Sequence, residues 1–258
     1  MDEKEKTCKE FIDLYFVVKR VREECPWDQK QTPQTLIPYF LEEAYELIDA
    51  LEKNDQEMIK EELGDILLHV LMQSIMAEEK NRFNFEEVCK NLKVKLITRH
   101  PHVFGEVKIE GVEDVLTNWE SIKSKEKDEE GILSGIPQNM PALLTAFRIQ
   151  EKASHVGFDW KKSKEIIPKL YEELKELEKA IQEDNKEDME EEIGDLLFTI
   201  VNIARHLGID PESSLRKTNK KFTERFKYIE DRIKESGKEW KDFSLEELDK
   251  LWESSKTL

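Results

Sequence analysis

A carboxylate pattern occurs twice in this chain at one fixed interval. Glu42-Glu43-x-x-Glu46 followed by Glu62-Leu63-Gly64-Asp65 returns as Glu172-Glu173-x-x-Glu176 followed by Glu192-Ile193-Gly194-Asp195, every residue displaced by 130 positions. An apolar run follows each copy, Ile66-Leu67-Leu68 and then Leu196-Leu197-Phe198. With 58 Asp and Glu residues in the chain, one such pattern describes an ordinary solvated helix face. Two in the same register describe a duplicated unit. Residues three apart on a helix share a face, so Glu43 with Glu46 and Glu62 with Asp65 form two pairs. The polar stretch Glu52-Lys53-Asn54-Asp55 between them suits a tight connection. Two antiparallel helices would then converge four acids in each half.

The rest of the chain repeats in the same order. Leu36-Ile37-Pro38 returns as Ile166-Ile167-Pro168, Lys95 and Arg99 as Lys221 and Arg225, and Trp119-x-x-x-Lys123 as Trp252-x-x-x-Lys256. Pro26-Trp27-Asp28 has a looser echo in Gly157-Phe158-Asp159-Trp160. The expected organisation is a first helical domain over 1–123, a linker over 124–140 rich in charge and breakers, and a second helical domain over 141–258. Helical periodicity runs through Phe11, Leu14, Val17, Val18 and Val21, through Ala44, Leu47, Ile48 and Leu51, and through Leu63, Ile66, Leu67 and Val70. Asn84 with Glu87, Asp184 with Glu187 and Ser244 with Glu247 mark helix starts. Only the stretch 106–110 hints at extended structure. The class is all-α, a tandem repeat of two helical bundles.

The net charge of −17 argues against binding a nucleic-acid polymer, which requires a basic face. No stretch approaches the roughly 18 apolar residues that span a bilayer, and the charged opening Asp2 to Lys6 does not read as a signal peptide. Three cysteines, Cys8, Cys25 and Cys89, are odd in number and lack metal-site spacing. They read as reduced thiols, and the expected location is cytoplasmic.

Four carboxylates beside a core repel one another unless cations or protons compensate. Oxygen donors suit hard cations, which makes Mg²⁺ or Mn²⁺ the expected cofactor. A di-iron bundle would need Glu-x-x-His, and none of the five histidines has Glu three positions earlier. His69 lies one turn after Asp65, but its counterpart is Thr199, so it reads as a packing residue beside the cluster. Lys95 with Arg99, and Lys221 with Arg225, are each one turn apart and suit phosphate oxygens. Trp119 with Lys123, and Trp252 with Lys256, suit a nucleotide contact.

These residues, with Cys25-Pro26-Trp27-Asp28, Arg99-His100-Pro101-His102-Val103-Phe104, Val156-Gly157-Phe158-Asp159-Trp160 and Asn219-Lys220-Lys221-Phe222-x-x-Arg225-Phe226, resemble the MazG family of nucleoside triphosphate pyrophosphohydrolases. The resemblance spans nearly the full length. It implies Mg²⁺-dependent hydrolysis of a nucleoside triphosphate to monophosphate and pyrophosphate, on a helical fold that forms a homodimer. Carried over, Glu43, Glu46, Glu62 and Asp65, and Glu173, Glu176, Glu192 and Asp195, would hold metal. Lys221 and Arg225 would hold the triphosphate, with Asn219 and Trp252 nearby, and Lys169, one turn before Glu173, would also face phosphate. The first half departs from this pattern, with Tyr39 at the Lys169 position and Lys93 at the Asn219 position. Glu42 and Glu172 are the candidates to orient or deprotonate the attacking water. Broad tolerance of ribo- and deoxyribonucleotides in nucleotide-pool housekeeping is the expected role. The rival expectations are a helical interaction module without turnover and a dUTP-specific pyrophosphatase.

Overall fold

The computed structural model describes residues 2–109, 111–112, 114–115, 118–119, 122 and 131–256. Among these, every regular element is helical. The stretch 107–109 is irregular rather than a strand, and Glu110 lies outside the described residues, as do Lys123 and positions 124–130 of the expected linker. The chain divides into two compact units, 1–123 and 124–258.

In the first unit α1 (Glu3–Glu24) and α2 (Ile37–Lys53) both pack on α3 (Gln56–Glu78), and α4 (Phe85–Arg99) packs on α3 and on the short α5 (Pro101–Phe104). Val18, Leu36, Leu71, Met72, Ile75 and Met76 form its core, with Tyr15, Leu67 and Phe85 against them. Arg22 ties α1 to the end of α3 by a bidentate fork on Glu79, at 2.7 and 2.9 Å. That guanidinium holds the Glu79 carboxyl below its ordinary range.

The second unit repeats the plan. Its α6 (Ala142–Ser154) and α7 (Ile167–Gln182) pack on α8 (Lys186–His206), α9 (Pro211–Ser236) packs on α6 and α8, and α10 (Leu245–Ser255) packs on α9. Gln150 reaches across from α6 to donate to the Phe198 carbonyl at 2.7 Å. The deeply buried positions coincide between units in the 130-residue register: Leu36 with Ile166, Ala50 with Ala180, and Leu71 with Val201.

Each acidic hairpin turns through a single left-handed residue, Asn54 (φ 56°) in one unit and Asp184 (φ 52°) in the other. Asn and Asp tolerate that region better than other non-glycine residues. The next amide closes the helix end, Asp55 N–H on the Ala50 carbonyl at 3.0 Å and Asn185 N–H on the Ala180 carbonyl at 3.2 Å. Asp55 and Asn185 then cap the following helices. The sequence pattern placed the second cap on Asp184. It falls one residue later because Asp184 is used for the turn. The capping boxes at Asn84 and Ser244 form as expected.

The apolar stripes are turned further from the core than periodicity suggests. Of the α1 stripe only Val18 is buried, while Phe11, Leu14, Val17 and Val21 are exposed. On α2 the buried residue is Ala50, not Leu51. On α3, Leu63 is 53% exposed and Val70 38%, whereas Glu62 is 3% exposed. The N-terminal half of α3 presents its acids, not its leucines, to α2.

Candidate active site

The acids come together because α2 and α3 form one hairpin and α7 and α8 another. Glu43, Glu62 and Asp65 each place a carboxylate oxygen within 4.8 Å of the others. In the second unit Glu173, Glu176 and Glu192 do the same. The fourth member differs: Glu46 stands at the margin of the first cluster and Asp195 at the margin of the second, each close enough to act electrostatically on the rest. Glu42 and Glu172 lie beside their clusters on the exposed side of α2 and α7.

The clusters bind protons abnormally well. Burial, and then the charges of Asp65, Glu46, Glu62 and Glu42, push the Glu43 carboxyl above its ordinary 4.5. Burial, Glu46, Asp65 and Glu61 do the same to Glu62, partly offset by a hydrogen bond with Glu43. Glu192 is raised by burial and then by Glu176, Glu173, Asp195 and Glu191. Glu176 is raised chiefly by its hydrogen bond with Glu173. Glu192 Oε2 is buried and has no hydrogen-bond partner among the described residues. Crowded, half-desolvated carboxylates with an orphaned oxygen are what a hard divalent cation would satisfy, and in Mg²⁺ sites oxygens facing across the ion stand about 4.2 Å apart. These residues fit such an ion.

The two clusters differ in their counter-charges. Glu43, Glu46, Glu62 and Asp65 have no ion pair among the described residues, and Tyr39 sets its ring edge-on to Trp27 at 5.7 Å. In the second unit the Lys169 ammonium lies 2.8 Å from Glu172 and 2.7 Å from Glu173. His69 is buried against the edge of Phe40, its Nδ1 without a partner, and burial lowers its proton affinity against the pull of Asp65. It is therefore a neutral packing imidazole beside Asp65, as its Thr199 counterpart suggests.

The basic and aromatic residues recur as pairs. The Arg99 guanidinium lies over the Trp119 ring at 5.5 Å, and that of Arg225 over Trp252 at 5.6 Å. Phe222 packs against Trp252 with ring centroids 5.1 Å apart. Lys95 is exposed on α4, and Asn219 and Lys221 on α9. Lys256 is engaged with Glu253. Lys123 lies outside the described residues. Sequence reasoning missed the clamp on Asp159, which is gripped by Arg205 and His206 of α8 and thereby held below its ordinary proton affinity despite burial. Those partners stand 46 and 47 residues away, so no local period could reveal them.

Two helical hairpins with converging acids, each accompanied by an arginine stacked on tryptophan, define an all-α protein with a duplicated acidic cluster. Residues 31–104 and 161–229 match the MazG nucleotide pyrophosphohydrolase domain. A nucleoside triphosphate pyrophosphohydrolase/pyrophosphatase MazG from Thermotoga maritima is 46% identical over 95% of both chains. A nucleoside triphosphate pyrophosphohydrolase from Escherichia coli is 40% identical over 94% of this chain and 95% of its own. The crystal structure of a mazG-related protein from Thermotoga maritima covers 43% of this chain and 97% of its own at 28% identity, with a TM-score of 0.40. The chain belongs to the MazG family. Each matched segment holds one acidic cluster and one Lys-Arg pair. No helix among the described residues is long and apolar enough to cross a membrane.

Proposed function

We propose that this chain hydrolyses nucleoside triphosphates to the monophosphate and pyrophosphate, with Mg²⁺ or Mn²⁺ held by the acidic clusters. The observation that carries the reading is the convergence of carboxylates in both units at oxygen spacings suited to a hard cation. The names of the full-length relatives support the reaction class. Glu43, Glu46, Glu62 and Asp65, and Glu173, Glu176, Glu192 and Asp195, would hold the ion. When bound, it supplies positive charge against the phosphates and acidifies a water.

The chain's own groups do the rest. Glu42 and Glu172 would accept a proton from the water that attacks the α-phosphorus, and pyrophosphate departs. Lys221 and Arg225, with Lys95 and Arg99 in the first unit, neutralise charge on the phosphate oxygens. Trp252 and Trp119, each with an arginine over its ring, are the candidates to contact a base. Nothing in a π-face selects one base, which favours broad use of ribo- and deoxyribonucleotides and a housekeeping role in the nucleotide pool.

The assembly is a homodimer in this reading. Leu63 and Leu68 flank Gly64 on an exposed face of α3, and Ile193, Leu197 and Phe198 surround Gly194 on α8. Apolar faces of this kind are characteristic of interaction sites.

The test is a panel of ribo- and deoxyribonucleoside triphosphates incubated with the full chain and Mg²⁺, with products separated. Monophosphate and pyrophosphate from several bases are expected, with loss in EDTA. Glu43→Gln/Glu62→Gln and Glu173→Gln/Glu192→Gln, compared side by side, assign turnover to a unit. Unchanged rates in both would defeat the acidic-site assignment. Turnover of dUTP alone would replace broad specificity by a dUTPase, and no turnover at all would leave an interaction module.

A further inference from the structure

The second cluster contains a cation of its own. Lys169 opens the α7 face that carries Glu172, Glu173 and Glu176, and its ammonium bridges Glu172 Oε1 at 2.8 Å and Glu173 Oε1 at 2.7 Å. The Glu173 side chain is only 5% exposed and is one of the three carboxylates that converge. The ammonium therefore occupies bonding capacity on an oxygen donor that a divalent ion would use. Tyr39 stands at the equivalent place in the first unit, packed on Trp27, and leaves Glu43 with no ion pair among the described residues.

We infer that Lys169, which the family resemblance already turns toward phosphate, is also a tethered counter-ion that competes with the divalent cation for Glu173, so that cation and triphosphate displace it together. The inference rests on the metal-site reading of the acidic cluster. An ammonium freed from its carboxylates beside a newly bound cation needs an anion, and triphosphate oxygens are the nearest chemistry that supplies one. The side chain is long, single-bonded and about two-fifths exposed, so it can swing without moving the helix. The consequence is a difference in loading. The first site takes a cation on its own, whereas the second takes cation and nucleotide together.

Mn²⁺ binding to the nucleotide-free full chain, followed by the electron paramagnetic resonance of the free ion, separates the cases. Two affinity classes are expected. Lys169→Met should tighten the weaker class by on the order of tenfold, about the strength of one charge-assisted hydrogen bond no longer displaced. Lys169→Arg, which keeps the charge, should leave it weak, and Tyr39→Lys should weaken the tighter class. With Mn²⁺ saturating, Lys169→Met should bind an α,β-methylene triphosphate less well than the native chain. Tighter metal with weaker nucleotide is a split that general structural damage does not produce. Unchanged or weaker Mn²⁺ binding in Lys169→Met overturns the competition. Retention of both classes in Glu192→Gln would instead remove the metal-site reading beneath it.

Discussion

Gly64 and Gly194 sit in the middle of α3 and α8, at negative φ, where a glycine costs a helix about 1 kcal/mol relative to alanine. Neither is needed for space inside the chain, because a Cβ at either position meets no heavy atom within 4 Å. Taken alone, Gly64→Ala should therefore stabilise by about 1 kcal/mol, which for a unit of this size raises Tm by roughly 4 °C. The flanking exposed leucines give the opposite expectation once a second copy lies on that face. A methyl group driven into a close helix contact costs about 1–3 kcal/mol, which cancels the helical gain or exceeds it by up to about 2 kcal/mol. We expect Gly64→Ala and Gly194→Ala each to lower Tm or leave it flat, and to shift the chain toward monomer. The assay is thermal unfolding at several protein concentrations, paired with sedimentation equilibrium. Stabilisation by the full helical increment with unchanged sedimentation would show a bare face and refute the proposed homodimer packing.

Two further substitutions check other parts of the reasoning. Glu192 has a folded pKa above its ordinary 4.5, so the fold binds its proton more tightly than the unfolded chain does, and ionisation weakens the fold. The penalty is absent below the unfolded value and grows as pH rises through the folded one. In EDTA, Glu192→Gln should thus unfold at a higher temperature than the native chain at neutral pH, with the gap closing toward about pH 4, and excess Mg²⁺ should reverse the order. A native chain that matches the variant at every pH would mean the carboxylates are not strained. Leu71 has no exposed surface, and Leu71→Ala should cost about 2–5 kcal/mol in urea unfolding, a loss below about 1 kcal/mol being inconsistent with the described core.

The helical class and the acidic hairpins were legible because they rest on local periods and on the recurrence of one register. The same register paired Leu36 with Ile166, both deeply buried, whereas the buried pair Leu71 and Val201 was not singled out by it. Which way α3 faces was not legible. Its leucines and isoleucines surround much of the helix, so the apolar pattern has no single best direction. Leu63 and Val70 were assigned inward where Glu62 and His69 actually lie. A rule that buries apolar residues fails when the buried face is built to be charged. Asp184 and Asn185 are both good caps, and only the backbone at Asp184 decides between them. The Lys169 bridge was readable as proximity, one turn from Glu173, but the spacing alone did not distinguish a lysine facing substrate from one facing its own helix.

The turns at Asn54 and Asp184 have a consequence for how the molecule comes to exist. Only two residues separate α2 from α3, and three separate α7 from α8, so every acid in a cluster is recruited from one short continuous segment. Such low contact order carries little loop-closure entropy and favours rapid formation. Each hairpin is thus expected to form early in its unit, bringing the carboxylates together before the flanking helices dock. Divalent ions added during refolding should therefore accelerate the first observable phase, rather than merely stabilise the finished protein.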